Sequence, residues 1–144
     1  MARPLHVVLD TCILVAALRS KRGAANALLT ELGLGNFETS ISVTLALEYE
    51  SVLKRPGLIP GYSPEELKSF IESFLRISNP IEVRFKHRPC LPDPKDDMVL
   101  EAAVNAFCDG IVTNNIKDFK LVSRFGLNVW TANEFLHAVR SHQP

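Results

Sequence analysis

Short apolar runs alternate with helical patterns along the whole chain, and this alternation limits the possible folds most. The run at residues 6–9, Val-Val-Leu after a histidine, shows no polar alternation, which is typical of a strand buried on both faces. Further strands are predicted at residues 37–41, 111–113 and 128–130, with an edge strand at 81–85. Helical patterns lie between them. The order predicts an α/β fold with a mostly parallel central sheet and helices on both faces.

Helix boundaries are marked by capping signals. Ser63 begins Ser-Pro-Glu-Glu, which predicts a capping box with proline at the first helical position, and Thr131 begins a second box with Glu134. Ser42 is predicted to cap a helix over residues 43–54, and Asp93 one that starts at Pro94. Helices are also expected at residues 24–34 and 64–76.

Length and composition predict one ordinary globular domain. The 144 residues are expected to form a single domain over 1–144, with 47% hydrophobic and 22% charged residues. Lys plus Arg and Asp plus Glu both number 16, so no overall positive field indicates a nucleic-acid binder. Three cysteines without CxxC spacing, no signal-peptide pattern and no membrane-length apolar run predict a cytoplasmic protein.

Acidic residues follow two of the predicted strands. Asp10 ends the first strand, and Asp118 lies a few residues after the strand at 111–113. In parallel α/β folds the carboxyl ends of the strands form the functional edge of the sheet. Each acid also has an ordinary explanation, Asp10 as a helix cap and Asp118 as a turn residue. Together they predict a shared carboxylate pocket at this edge.

Four more acids are candidates for the same pocket. Glu48 borders the apolar stripe of its helix, although a surface carboxylate that snorkels outward fits the same position. Asp93, Asp96 and Asp97 crowd one helix start, which is more negative charge than capping needs. Asp97 shares a face with Leu100 and Val104 and should point inward, but the periodicity does not choose firmly between Asp96 and Asp97.

A pocket of carboxylates favours Mg²⁺ or Mn²⁺, because these ions prefer hard oxygen ligands. The four histidines have neither HxH nor HExxH spacing, which argues against zinc. Carboxylate-bound Mg²⁺ typically polarises phosphoryl oxygens and activates water, so phosphate chemistry is the expected function.

Three stretches of the chain carry a resemblance to a known family: VVLDTCILVAAL, TLALEYESVLKRP and DPKDDMVLEAAVNAFCDGIVTNNIKDF. Together they resemble the PIN-domain family, in particular its toxin–antitoxin ribonucleases. The resemblance implies a three-layer α/β/α sandwich and a Mg²⁺- or Mn²⁺-dependent ribonuclease that is the toxin of such a pair, with RNA as substrate, an antitoxin partner and a homodimer as expected associations. It assigns catalysis and metal binding to Asp10, Glu48, Asp97 and Asp118, with Asp93, Thr113 and Asn115 as supporting residues.

Two positions depart from the family pattern. Cys12 stands where the family commonly has Asn or Ser, and Asn115 where some members have an acid, so either Asn115 or Asp118 could be the nearer ligand. The substrate would have to be held by local basic groups, for which the sequence offers Arg19/Lys21/Arg22, Lys54/Arg55, Lys86/His87/Arg88 and Lys117/Lys120.

Two other functions remain as alternatives. An aspartyl phosphotransferase generally needs a second acid two residues after Asp10, and Cys12 occupies that position. A binding module with a degenerate site would have the same fold, which fold alone does not exclude. Because all four proposed ligands are acidic, the active enzyme is the preferred interpretation.

Overall fold

Five parallel strands form the central sheet in the computed structural model, which describes residues 3–84, 91 and 93–142. Their order across the sheet is β3-β2-β1-β4-β5, and all four pairings are parallel. The strands are β1 Leu5–Leu9, β2 Phe37–Ile41, β3 Asn79–Pro80, β4 Gly110–Val112 and β5 Asn128–Trp130. The predicted parallel sheet is therefore confirmed.

In the part of the chain that the structure describes, six α-helices and a 3₁₀ helix kinked at Phe119 surround the sheet in a three-layer α/β/α fold. Helix α2 packs against α1 and α6, while α3 packs against α4 and α5. The helices are α1 Thr11–Arg19, α2 Ala24–Gly33, α3 Val43–Leu53, α4 Pro64–Ile77, α5 Pro94–Asn105 and α6 Ala132–His142, with a 3₁₀ helix at Ile116–Phe125. Within the described ranges, none of the helices has the length and apolarity that a bilayer crossing requires.

The apolar run in β1 is the centre of the core. Val7, Val8 and Leu9 are completely buried, as expected for a strand covered on both faces. Aromatic side chains join neighbouring layers: Phe37 of β2 meets Phe135 of α6 edge to face at 5.0 Å between ring centroids. A strand buried this completely holds its carboxyl end firmly in place.

The predicted helix caps are present. Ser63 and Glu66 form a reciprocal capping box at the start of α4, and Thr131 and Glu134 form another before α6. Asp93 caps α5 by accepting a hydrogen bond from the Lys95 N–H at 2.9 Å. These local bonds fix the start of α5, where three acids crowd together.

The predicted edge strand at 81–85 was wrong in its position. The strand at this edge of the sheet is β3, only two residues long, and residues 81–84 are not part of it, while Phe85 lies outside the described residues. Its partner β2 ends at Ile41, whose carbonyl accepts the last hydrogen bond, from the Ile81 N–H at 2.9 Å. Within the described residues, β2 offers no strand backbone beyond Ile41 for residues 82–84 to pair with.

Chain connections leave β1 and β4 in opposite directions across the sheet. The chain runs from β1 outward through β2 to β3 and then returns to place β4 on the other side of β1. Such a reversal opens a crevice at the carboxyl ends of the two strands, which is where doubly wound folds bind ligands. Asp10 and Thr113 are the residues that directly follow these two strands.

Gly110 gives a first prediction, on stability. A Cβ at this position would lie 2.3 Å from the Asn128 carbonyl oxygen, so β4 could no longer approach β5 as closely. We expect Gly110→Ala to lower the free energy of unfolding by about 2–3 kcal/mol. Gly33→Ala is the control, since a Cβ there meets nothing within 4 Å and alanine favours a helix. Urea unfolding of both variants measures the difference, and equal stabilities would contradict the predicted clash.

Candidate active site

Asp10 lies at the crevice between β1 and β4. Its backbone N–H continues the β1–β4 ladder by donating to the Val112 carbonyl at 2.9 Å. The residue is at the N-cap position of α1, but its side chain makes no capping bond. Instead Oδ2 accepts from the Thr113 hydroxyl at 2.7 Å and from the Cys12 thiol at 3.3 Å. The capping interpretation of Asp10 is therefore wrong, and the carboxylate faces the chain that leaves β4.

Two backbone amides support these bonds from behind. The Asn115 N–H donates to the Thr113 hydroxyl oxygen at 3.0 Å, and the Asn114 N–H donates to the Cys12 sulfur at 3.5 Å. Each short side chain thus accepts from the loop and donates to Asp10. This arrangement fixes the loop after β4 against the end of β1, and it gives Cys12 a place as a small donor.

The position of Cys12 predicts low reactivity. Burial, with a contribution from Asp10, raises the pKa of the Cys12 thiol to about 11. Since only the thiolate is nucleophilic, a rise of the pKa from 9.0 to about 11 leaves a thiolate fraction about 100-fold smaller at pH 8. We expect iodoacetamide to label Cys12 about 100-fold more slowly in the native protein than in urea, as followed by mass spectrometry. Equal rates would contradict a half-buried thiol that faces Asp10.

Asp96 lies in the combined negative field of the neighbouring acids. Burial first, then Asp10, Asp93, Asp118 and Asp97, raise the pKa of its carboxyl group to about 7. These acids come from the end of β1, the start of α5 and the 3₁₀ helix. The helical periodicity alone did not choose between Asp96 and Asp97. In the structure Asp96 is the acid on which the charges of the other elements converge.

Asp97 points inward, as its periodicity predicts, and is 1% exposed. Its Oδ1 accepts a hydrogen bond from the backbone N–H of Leu91 at 3.0 Å. The carboxylate therefore joins the start of α5 to the chain that precedes it. Asp97 lies at the centre of the apolar face of α5 and packs into the protein. Its neighbour Asp96 lies at the border of that face and reaches the crevice.

The 3₁₀ helix presents Asp118 on the other side of the crevice. Asp118 lies in its first turn and is exposed, with its N–H bonded to the Asn115 carbonyl at 3.0 Å. Asn115 is also exposed, at the residue before this helix, and its side chain makes no cap. The sequence predicted a turn residue or a pocket ligand at Asp118, without a helix. The helix gives Asp118 a fixed position a few residues beyond β4.

Tyr49 anchors α3 to the site, although its sequence pattern is that of an ordinary core residue. Its hydroxyl donates to the carbonyl of Leu9, the last residue of β1. Burial raises the pKa of this phenol, and the charges of Asp10 and Cys12 raise it further, so the ring lies close to both. Glu48, the preceding residue on α3, is half-buried at the wall of an adjoining cleft. This anchor brings Glu48 to the region of the acids.

Comparison with known proteins identifies the family. A model of the PIN domain matches residues 6–117, most of the chain. The chain belongs to the PIN-domain family. A chain in the crystal structure of VapBC2 from Rickettsia felis, bound to a DNA fragment from their promoter, has the same fold with a TM-score of 0.62 and 20% sequence identity. The match covers 88% of this PIN domain and 98% of that chain. No curated protein matches the sequence.

Basic side chains of the PIN domain flank the acids. Arg19, Arg55 and Lys95 all line an open cleft of about 600 Å³ that Glu48 and Cys12 also border. Sequence patterns had suggested Arg19 and Arg55 among several basic groups, but not Lys95. The cluster Lys86/His87/Arg88 lies outside the described residues. One cleft therefore combines cations with the edge of the acidic site.

The donor atoms of the acidic site fit a hard divalent cation. Asp10, Asp96 and Asp118 offer only carboxylate oxygens, and the field that raises the pKa of Asp96 is what a bound cation would neutralise. Over residues 3–84, 91 and 93–142, however, no group of three or more His, Cys, Asp or Glu side chains is arranged tightly enough to hold an ion. The residues thus have the right chemistry, and they would have to close in on the metal.

Proposed function

We propose that this PIN domain is a Mg²⁺- or Mn²⁺-dependent endoribonuclease and the toxin of a toxin–antitoxin pair. The observation that carries the proposal is the meeting of acids from separate elements, Asp10 after β1, Asp96 in α5 and Asp118 in the 3₁₀ helix, at the crevice between β1 and β4, where their charges also raise the pKa of Asp96. Placing like charges together is unfavourable unless a cation compensates them. Basic side chains in the adjoining cleft suit a phosphate-rich substrate.

The proposed ligands are Asp10, Asp96 and Asp118, with Glu48 completing the site from α3. Asp96 replaces Asp97 of the sequence-based set, because Asp97 is buried and bonded to the Leu91 N–H. Asp93 caps α5, Thr113 orients Asp10, and Asn115 positions the Thr113 hydroxyl, so these three support the site without being assigned as ligands.

A bound Mg²⁺ would polarise a phosphoryl oxygen of the substrate and lower the pKa of a water molecule. The chain's own groups do the remaining work. Thr113 and Cys12 donate hydrogen bonds to Oδ2 of Asp10. The other side of this carboxylate therefore faces away from these two donors. Arg19, Arg55 and Lys95 would attract the phosphate backbone against the charge of the acids. No covalent enzyme intermediate is required.

Purified protein and single-stranded RNA test this function directly. We expect cleavage with Mg²⁺ or Mn²⁺, none with chelator, and at least a 100-fold loss for Asp10→Asn. Activity in chelator, or full activity of Asp10→Asn, would contradict the proposed site. The fold shared with a VapBC2 chain supports the further proposal of an antitoxin partner and of self-association. Co-expression with the product of a neighbouring reading frame, followed by size-exclusion chromatography, tests the partner.

A binding module with a degenerate site is the second candidate. It is favoured by the lack of a preassembled ligand group among the described residues and by Asn115 at a position where an acid would add a ligand. Calorimetry with Mn²⁺ separates the two functions. A nuclease binds the ion and loses this binding in Asp10→Asn, whereas a degenerate module shows no binding in either protein.

A further inference from the structure

The open cleft beside the acids has two chemically different parts. Apolar side chains from α1, α3 and the following loop form one wall, including Val15, Val52 and Leu58. Arg19 and Arg55 lie on the same cleft, and both are exposed. Its volume of about 600 Å³ falls within the range of small-molecule and cofactor sites. A ligand that fits must combine a flat or apolar body with negative charge.

The cations of this cleft are available for a ligand. Among the residues that the structure describes, neither Arg19 nor Arg55 makes an ion pair within 4.0 Å. Lys54, the neighbour of Arg55, behaves differently, because it is paired with Glu50 at 2.7 Å one helical turn away. Lys54 is thus neutralised on the surface, whereas its neighbour Arg55 is directed to the cleft.

The cleft is continuous with the acidic site. Cys12 borders the cleft, and its thiol also donates to Oδ2 of Asp10 at 3.3 Å. Lys95 borders it as well and directly precedes Asp96. If the phosphate backbone of a nucleic acid passed the acids, its next nucleotide would therefore enter this cleft.

We propose that the cleft binds one unstacked nucleotide of single-stranded RNA next to the bond that is cut. Its base packs on Val15, Val52 and Leu58, and its phosphate contacts Arg19 and Arg55. This inference rests on the proposed ribonuclease function and adds the place where one nucleotide of the substrate is held. A base inside a duplex is stacked and paired, so it cannot reach an apolar wall, whereas single-stranded segments can turn a base outward. No described aromatic residue lines the cleft, so the base packs on aliphatic side chains and does not stack on a ring.

Fluorescence polarisation with a labelled single-stranded 12-mer, in chelator so that no cutting occurs, tests the site. We expect Arg55→Ala and Arg19→Ala each to weaken binding about 5–10-fold. Each should also reduce the slope of log K against log salt by about 0.7, the value for one phosphate contact on a single strand. Val52→Thr, similar in size but polar, should weaken binding about threefold with an unchanged slope. Thermal melts check that each variant folds.

Lys54→Ala is the matched control, since it removes a neighbouring cation that does not line the cleft, and its Kd should stay within twofold of wild type. The corresponding RNA duplex should bind at least tenfold more weakly than the single strand. Equal binding by wild type and the cleft variants, no RNA binding at all, or preference for the duplex overturns the proposal. If the cleft variants bind RNA as well as wild type does, the cleft would instead accommodate a protein segment.

Failure of this site and failure of the nuclease function give different results. If metal-dependent cleavage occurs but the cleft variants bind RNA like wild type, only the nucleotide site is wrong. If the variants weaken binding while no metal ion supports cleavage, the cleft is an RNA site and the nuclease function fails.

Discussion

Asp96→Asn should lower the rate of metal-dependent RNA cleavage by about 10³-fold while the protein stays folded. The amide has nearly the same shape as the carboxyl group but lacks the charge that would hold a cation. Loss of one such electrostatic group typically costs 10²–10³-fold in rate, and loss of the metal itself costs more. Single-turnover cleavage of a labelled RNA at saturating Mn²⁺ measures the chemical step.

The matched control for this loss is Glu65→Gln. Glu65 also lies in the first turn of a helix, α4, so its replacement removes a similar interaction with the helix dipole. Its activity should remain within twofold of wild type. If Asp96→Asn retains more than a tenth of the activity, the assignment of Asp96 fails, and Asp97→Asn becomes the variant to examine.

The metal-free protein should become more stable at pH 8 when Asp96 is replaced by Asn. The folded protein holds the Asp96 proton more tightly than the unfolded chain, because its pKa is raised from 3.8 to about 7. The stability that this group contributes is present below pH 3.8 and is lost as the pH rises through 7. The side chain is partly exposed, so solvent screening reduces the gain at pH 8 to about 1 kcal/mol, or about 3 °C in Tm.

Thermal melts in chelator at pH 5 and pH 8 measure this effect. The gain should be smaller at pH 5, and saturating Mn²⁺ should reverse the order by stabilising wild type alone. Asp97→Ala provides the contrast. It removes the acceptor of the buried Leu91 N–H, so it should lose about 1–3 kcal/mol at both pH values. If the difference in Tm between wild type and Asp96→Asn were the same at both pH values, this result would contradict charge repulsion at Asp96.

Features set by local chemistry could be predicted from the sequence. The unalternating run that becomes β1 and the capping boxes at Ser63 and Thr131 each depend on residues close together in the chain, and all are present. The parallel order followed from alternating strands and helices. The carboxyl-edge rule also placed Asp10 and Asp118 at one side of the sheet.

Features set by distant contacts could not be predicted. Asp96 and Asp97 are neighbours, and about 100° of helix rotation decides which one faces the crevice. The packing of α5 against β1, β4, α3 and the 3₁₀ helix fixes that rotation. The length of β3 depends on where β2 ends, and the cleft requires α1 and α3 to meet. Tyr49 had no signal, because its hydroxyl partner is a backbone carbonyl 40 residues earlier.

The hydrogen bond between Thr113 and Asp10 joins residues 103 positions apart. A chain still being synthesised has Asp10 early, but lacks Thr113 and Asp118 until β4 has been made. Every proposed ligand comes from a different element, and β4 joins the sheet by pairing with a strand from the opposite end of the sequence. A partly translated or truncated chain that stops before β4 therefore lacks both Asp118 and the hydroxyl that holds Asp10, so the proposed ligand set is assembled only when the domain is nearly complete.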